Sequence, residues 1–150
     1  TTVEELYQRA LMNTPKLQQY DIKNMRDVLC EMMLLEEMEG TTMEREEYLN
    51  VLPDSVPMYV LSNRTKVQGA SCILYPNILK DFASAVKSDF YILPSSVHEV
   101  ILLPAQGDED KEGLKRMVCE VNETQVEREE VLSDSVYYYS QEKGELSILV

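Results

Sequence analysis

After residue 57 the short β-rich runs of this chain arrive in pairs. Too few residues separate the partners for a parallel crossover, so any sheet they build must pair antiparallel. Residues 58–62 and 69–74 flank a polar loop. Residues 90–93 and 97–103 flank Pro94, Ser95 and Ser96. Residues 136–139 and 145–149 flank a short connection in which Gly144 can supply a left-handed residue. Helical spacing falls between the pairs. Pro76 can open a helix where its missing N–H costs nothing, and Ile78, Leu79, Phe82, Ala83 and Val86 form its apolar side. Asp108 and Asp110 are candidate caps for a helix with Leu114, Met117, Val118 and Val121 on one face. Thr124 and Glu127 have capping-box spacing, which predicts a further short helix to about residue 132. The expected order is ββα-ββα-ββ, an α+β fold whose antiparallel sheet carries helices on one face. The two ββα units echo each other: Cys72-Ile73-Leu74-Tyr75-Pro76 resembles Val100-Ile101-Leu102-Leu103-Pro104. Residues 100–103 are apolar on both faces, as in a covered central strand.

The N-terminal part reads as two helices. Val3, Leu6, Tyr7, Ala10 and Leu11 keep helical spacing, with Thr2 and Glu5 as a capping box; the residue before Pro15 resists the helix, which predicts an end near residue 13. A second stripe (Met25, Val28, Leu29, Met32, Met33) predicts a helix over 23–38, capped by Asp21 and stopped by Gly40. Glutamates then crowd toward Pro53 and Pro57. The expected organisation is a helical segment, 1–40, an acidic linker, 41–57, and an α+β body, 58–150, with the first and last forming one unit.

Acidic residues outnumber basic ones, 27 to 14, a formal charge of −13. Such a chain repels phosphate backbones and anionic membranes, so nucleic acid and membrane are not expected partners. Cys30, Cys72 and Cys119 lack disulfide or zinc spacing and fit a reducing, cytoplasmic setting.

His98 is the single histidine, the residue type suited to proton transfer near neutral pH. Ser96 precedes it by two residues and Glu99 follows it, but no nucleophile-elbow motif surrounds either serine. The plain reading has Ser95 and Ser96 bonding the turn backbone. Asp108, Asp110, Glu112 and Gly113 begin like a calcium loop, yet Cys119 stands where the closing glutamate belongs, so no metal site is assigned. No glycine-rich nucleotide motif occurs, and no cofactor is expected. Tyr137 and Tyr139 should share one face of their strand, with Tyr138 on the other.

The phrases MYVLSN, GASCILYPNILKDFA, DFYILPSSVHEVILLP, VNETQV and EEVLSDSVYYY, with MNTPKL earlier, resemble the bacterial domain-of-unknown-function family 5688 of anaerobic gut Firmicutes. The resemblance spans the last two-thirds of the chain and implies the C-terminal half of a longer polypeptide, which suits a first residue other than methionine. It implies no activity. It draws attention to Pro94, Ser95, Ser96, His98, Glu99, Asn122, Thr124, Ser133 and Asp134 as the polar or turn positions within those phrases.

Three readings follow. The first is a non-enzymatic interaction module with a protein partner. The second is a hydrolase-type enzyme using His98 with Ser96 or Glu99, and with Asp134. The third is an acidic decoy of a DNA-binding protein.

Overall fold

The computed structural model describes residues 1–24, 58–94, 96–107, 109–124 and 126–150. In chain order the elements are α1 (Val3–Leu17), β1 (Tyr20–Asn24), β2 (Tyr59–Asn63), a 3-10 turn (Gly69–Leu74), α2 (Ile78–Val86), β3 (Phe90–Leu93), β4 (Val100–Pro104), α3 (Lys111–Thr124), a second 3-10 turn (Arg128–Glu130), β5 (Tyr137–Ser140) and β6 (Glu145–Ile148). The six strands form one sheet in the order β1-β2-β4-β3-β5-β6, antiparallel throughout. This is the α+β class read from the sequence, and the tight β3–β4 and β5–β6 connections behave as their lengths require.

Both faces of the sheet are covered, where helices on one face were expected. Phe90 and Ile92 of β3, with Val100 and Leu102 of β4, pack under the first 3-10 turn and α2 through Ala70, Cys72, Ile78, Phe82 and Ala83. Tyr91, Leu93 and Leu103 point the other way, toward Leu114, Met117 and Val118 of α3. All four residues of β3 are buried, and alternating side chains can all be buried only between two layers. Each large side chain so buried stabilises by roughly 1.5–3 kcal/mol. The tyrosines follow strand parity: Tyr137 and Tyr139 join the first core and Tyr138 the second.

The largest departure is residues 69–74, expected as a strand and found as a 3-10 turn. The reason is occupancy. β2 has two edges, one paired with β1 and the other with β4. With no free edge beside it, the apolar run lies across the sheet instead. Gly69 makes the close approach, since a Cβ there would stand 2.6 Å from the Asn63 amide nitrogen and 2.7 Å from the His98 carbonyl oxygen. The order after residue 58 therefore begins β–turn–α where ββα was expected.

The helix expected over 23–38 fails at its start, because Lys23 and Asn24 belong to β1. The rest of that expectation, and the linker 41–57, lie outside the described residues. Residues 20–24 join the same sheet as residues 59–148. α1 carries the expected capping box at Thr2 and Glu5 but runs through Pro15 to Leu17. Its last turn is held from outside: the Tyr75 hydroxyl donates to the Gln18 carbonyl at 2.6 Å. The short helix expected after Thr124 is reduced to the turn Arg128–Glu130, because α3 itself extends to Thr124.

Candidate functional site

The loop between β3 and β4 holds the sequence candidates, and the fold uses them as ties. The Ser62 hydroxyl donates to the His98 carbonyl at 2.7 Å, and the Ala70 amide donates to the Val97 carbonyl at 3.1 Å. The Val97 amide reaches the Glu130 carbonyl at 2.8 Å. Ser96, nearly buried, accepts the His98 backbone amide on its Oγ at 3.0 Å, which is a turn bond and not a bond to the imidazole. Val97 and His98 thus join β2, the first 3-10 turn and the second.

The His98 ring is similarly engaged. Its Nδ1 accepts the Gln68 amide at 3.0 Å, and its Nε2 stands 3.1 Å from a Glu130 carboxylate oxygen. An accepting Nδ1 requires the neutral ring with its hydrogen on Nε2, which then donates to Glu130. The one lone pair a neutral imidazole could use as a base is already taken. Glu99 is exposed and lines a small recess with Lys23 and Lys66. Asp134 is held elsewhere: Asn122 Nδ2 donates to it at 2.9 Å and to the Ser133 carbonyl at 2.8 Å. Ser96, Glu99 and Asp134 therefore do not gather around the His98 ring; Glu130, which the sequence reading passed over, does. Asn122 Oδ1 is buried without a partner among the described residues. Pro94 is buried at the end of β3, Ser95 lies outside the described residues, and Thr124 ends α3.

A second polar cluster appears on the α3 face. Tyr91 and Tyr138 are cross-strand partners, with ring centroids 5.2 Å apart. Tyr138 donates to Asp89, whose other oxygen accepts the Gln141 amide at 2.8 Å. Tyr91 donates to Glu109 at 3.3 Å, and Glu109 also accepts the amides of Gln106 and Gly107. The hydrogen bond to Asp89, reinforced by burial, pushes the Tyr138 hydroxyl up to about 12. The same bond, with the Gln141 amide, holds Asp89 below the usual carboxylate range. For Glu109 burial acts upward, and the backbone amides together with Tyr91 outweigh it, so its net shift is downward. Of the calcium-like loop, Asp108 lies outside the described residues and Asp110 pairs with Arg116 at 3.5 Å. Among the described residues no three His, Cys, Asp or Glu side chains stand together to hold a metal ion.

The third feature is α1. It has the spacing of a helix that covers a core, yet none of its residues is buried. Val3 is 84% exposed and Leu6 57%. Its inner side borders an open groove of about 1060 Å³, floored by Leu11, Pro15, Ile22, Tyr59, Phe82 and Val86.

Among the described residues these features define an α+β fold with one sheet covered on both faces, a tied-down histidine loop and an exposed amphipathic helix. The chain belongs to DUF5688, a family of unknown function, whose model matches residues 1–141. The match takes in α1 as well as the phrases after residue 57, and it stops before β6. No curated protein matches the chain, and no solved structure does. No helix among the described residues is long and apolar enough to cross a membrane.

Proposed function

We propose that the chain is a non-enzymatic interaction module, the C-terminal part of a larger bacterial protein of the Firmicutes, acting in the cytoplasm with α1 as its docking element. The observation that carries this is the exposed apolar stripe of α1, in which Val3, Leu6 and Tyr7 follow helical spacing yet cover nothing. The first turns of the helix, which pack against nothing in the described fold, are available to pack against another surface. The excess of acid names the partner's chemistry: an apolar groove bordered by lysine and arginine, in a protein and not in nucleic acid or a membrane. The engagement of the His98 ring and of Ser96 supports a binding role over hydrolysis.

The test is the pair Val3→Asp with Leu6→Asp. Neither residue is buried, so the melting temperature should stay within a few degrees. Capture of a basic-grooved partner by the wild-type chain should be saturable, weaken with salt, and vanish in the variant. Undiminished capture by the variant would remove α1 from the interface. Light scattering that shows a wild-type dimer dissolved by the same substitutions would assign the stripe to a second copy and overturn the proposal.

A further inference from the structure

The first turn of α2 and the turn joining β5 to β6 face each other across a polar cleft of about 490 Å³. Lys80 and Lys143 line it, in a chain with barely half as many basic as acidic residues. Among the described residues neither lysine is in an ion pair. Glu142 also lines the cleft, so the balance there is two cations to one anion.

The N-terminus of α2 opens on the same space. Its N-cap, Asn77, sits in the left-handed region at φ 66° and makes no side-chain capping bond. The next amides, of Leu79 and Lys80, find no acceptor among the described residues. Uncapped first-turn amides carry partial positive charge and point outward along the helix axis, which suits an anion.

The independent sign is Tyr139. Its side chain is only 6% exposed, stacked on Phe90 with centroids 5.1 Å apart, yet its hydroxyl has no hydrogen-bond partner among the described residues. This hydroxyl instead reaches the cleft beside Gly144, 4.0 Å from the point where a Cβ on that glycine would stand. Gly144, at φ 63°, lets the turn close without a side chain over the hydroxyl.

Two ammonium groups in no ion pair among the described residues, an uncapped helix start and a hydroxyl with no partner among those residues line one cavity. We infer that this cleft binds the phosphate group of a small phosphorylated molecule. The phosphate sits between Lys80 and Lys143, accepts the Tyr139 hydroxyl and the first amides of α2, and leaves the organic part beside Ile73 and Leu79. The inference does not rest on the docking role of α1, which lies on different elements.

The test is a titration of the full chain with inorganic phosphate and with glycerol phosphate, followed by amide chemical shifts at constant ionic strength. Saturable shifts at Leu79 and Lys80 are expected with both probes, and none with chloride. Lys80→Gln together with Lys143→Gln should weaken binding at least about tenfold. Tyr139→Phe should weaken it several-fold while leaving the melting temperature unchanged, because the hydroxyl bonds no group among the described residues. Absence of saturation, equal binding by the double lysine variant, or a loss of stability in Tyr139→Phe would each overturn the inference. Intact phosphate binding alongside failure of the α1 test would leave this site standing and remove only the docking proposal.

Discussion

Residues 59–86 and 90–124 are written alike and folded differently. In the second unit the apolar run Val100–Pro104 becomes the strand β4, paired on both sides. In the first, the matching run Gly69–Leu74 becomes a 3-10 turn that lies over the sheet. Gly69, Ala70 and Ser71 are small residues that make poor strands, whereas residues 100–103 are all bulky and apolar, so composition leans the same way. The edges left to each run differ as well. In the fold β4 lies between β3 and β2, whereas both edges of β2 are taken by β1 and β4 and leave none for the first run.

The sharpest way to break the contrast is Gly69→Val. The new side chain would meet the Asn63 amide, the His98 carbonyl and the Ser62 hydroxyl, two of them backbone groups unable to swing aside. The expected loss is at least about 4 kcal/mol in denaturant unfolding. Leu102→Ala comes next, because Leu102 is wholly buried between β2 and β3; it should cost about 3 kcal/mol. His98→Ala removes the acceptor for the Gln68 amide and the donor to Glu130, which tie the first unit to the second 3-10 turn; about 1–2 kcal/mol should be lost.

Beside the second unit, Asp89 and Tyr138 of β5 form an acid-sensitive pair. Asp89 is held below its ordinary range in the fold, so its contribution is present above the unfolded carboxylate's pKa and disappears as pH falls through the folded one. Tyr138 is raised, so its contribution is lost on the alkaline side, as pH climbs from about 10 to about 12. Asp89→Asn should flatten the acid limb of a stability-versus-pH curve and cost about 1 kcal/mol at neutral pH. The smallest effect sharpens the comparison most. Leu74, the counterpart of Leu102 in the echoing phrases, is 52% exposed, and Leu74→Ala should change stability by less than about 0.5 kcal/mol. Equal losses for Leu74→Ala and Leu102→Ala would mean that the two runs play the same role after all.

Much of the candidate chemistry was visible as residues and invisible as partners. Ser96 as a turn bond was legible, because a serine two residues before a backbone amide is a local arrangement. The Glu130 carboxylate beside His98 was not, since 32 positions separate them and no spacing rule joins them. The cleft under Lys80 and Lys143 was hidden for the same reason. Its one sequence signal was an asparagine before an apolar helix stripe, which usually reads as a cap and here caps nothing.

By itself the sequence determined what depends on neighbours along the chain. That covers antiparallel pairing across short turns, the apolar stripes of α2 and α3, the capping box of α1, and the division of three consecutive tyrosines between two faces. Tertiary structure decided what depends on competition for space. It made β1 from five residues too few to announce themselves, turned residues 69–74 out of the sheet, set helices on both faces, and tied His98 down on both sides. Periodicity is a property of a segment. The edge that a segment finds open, and the group that its side chain meets there, are properties of every other segment already in place.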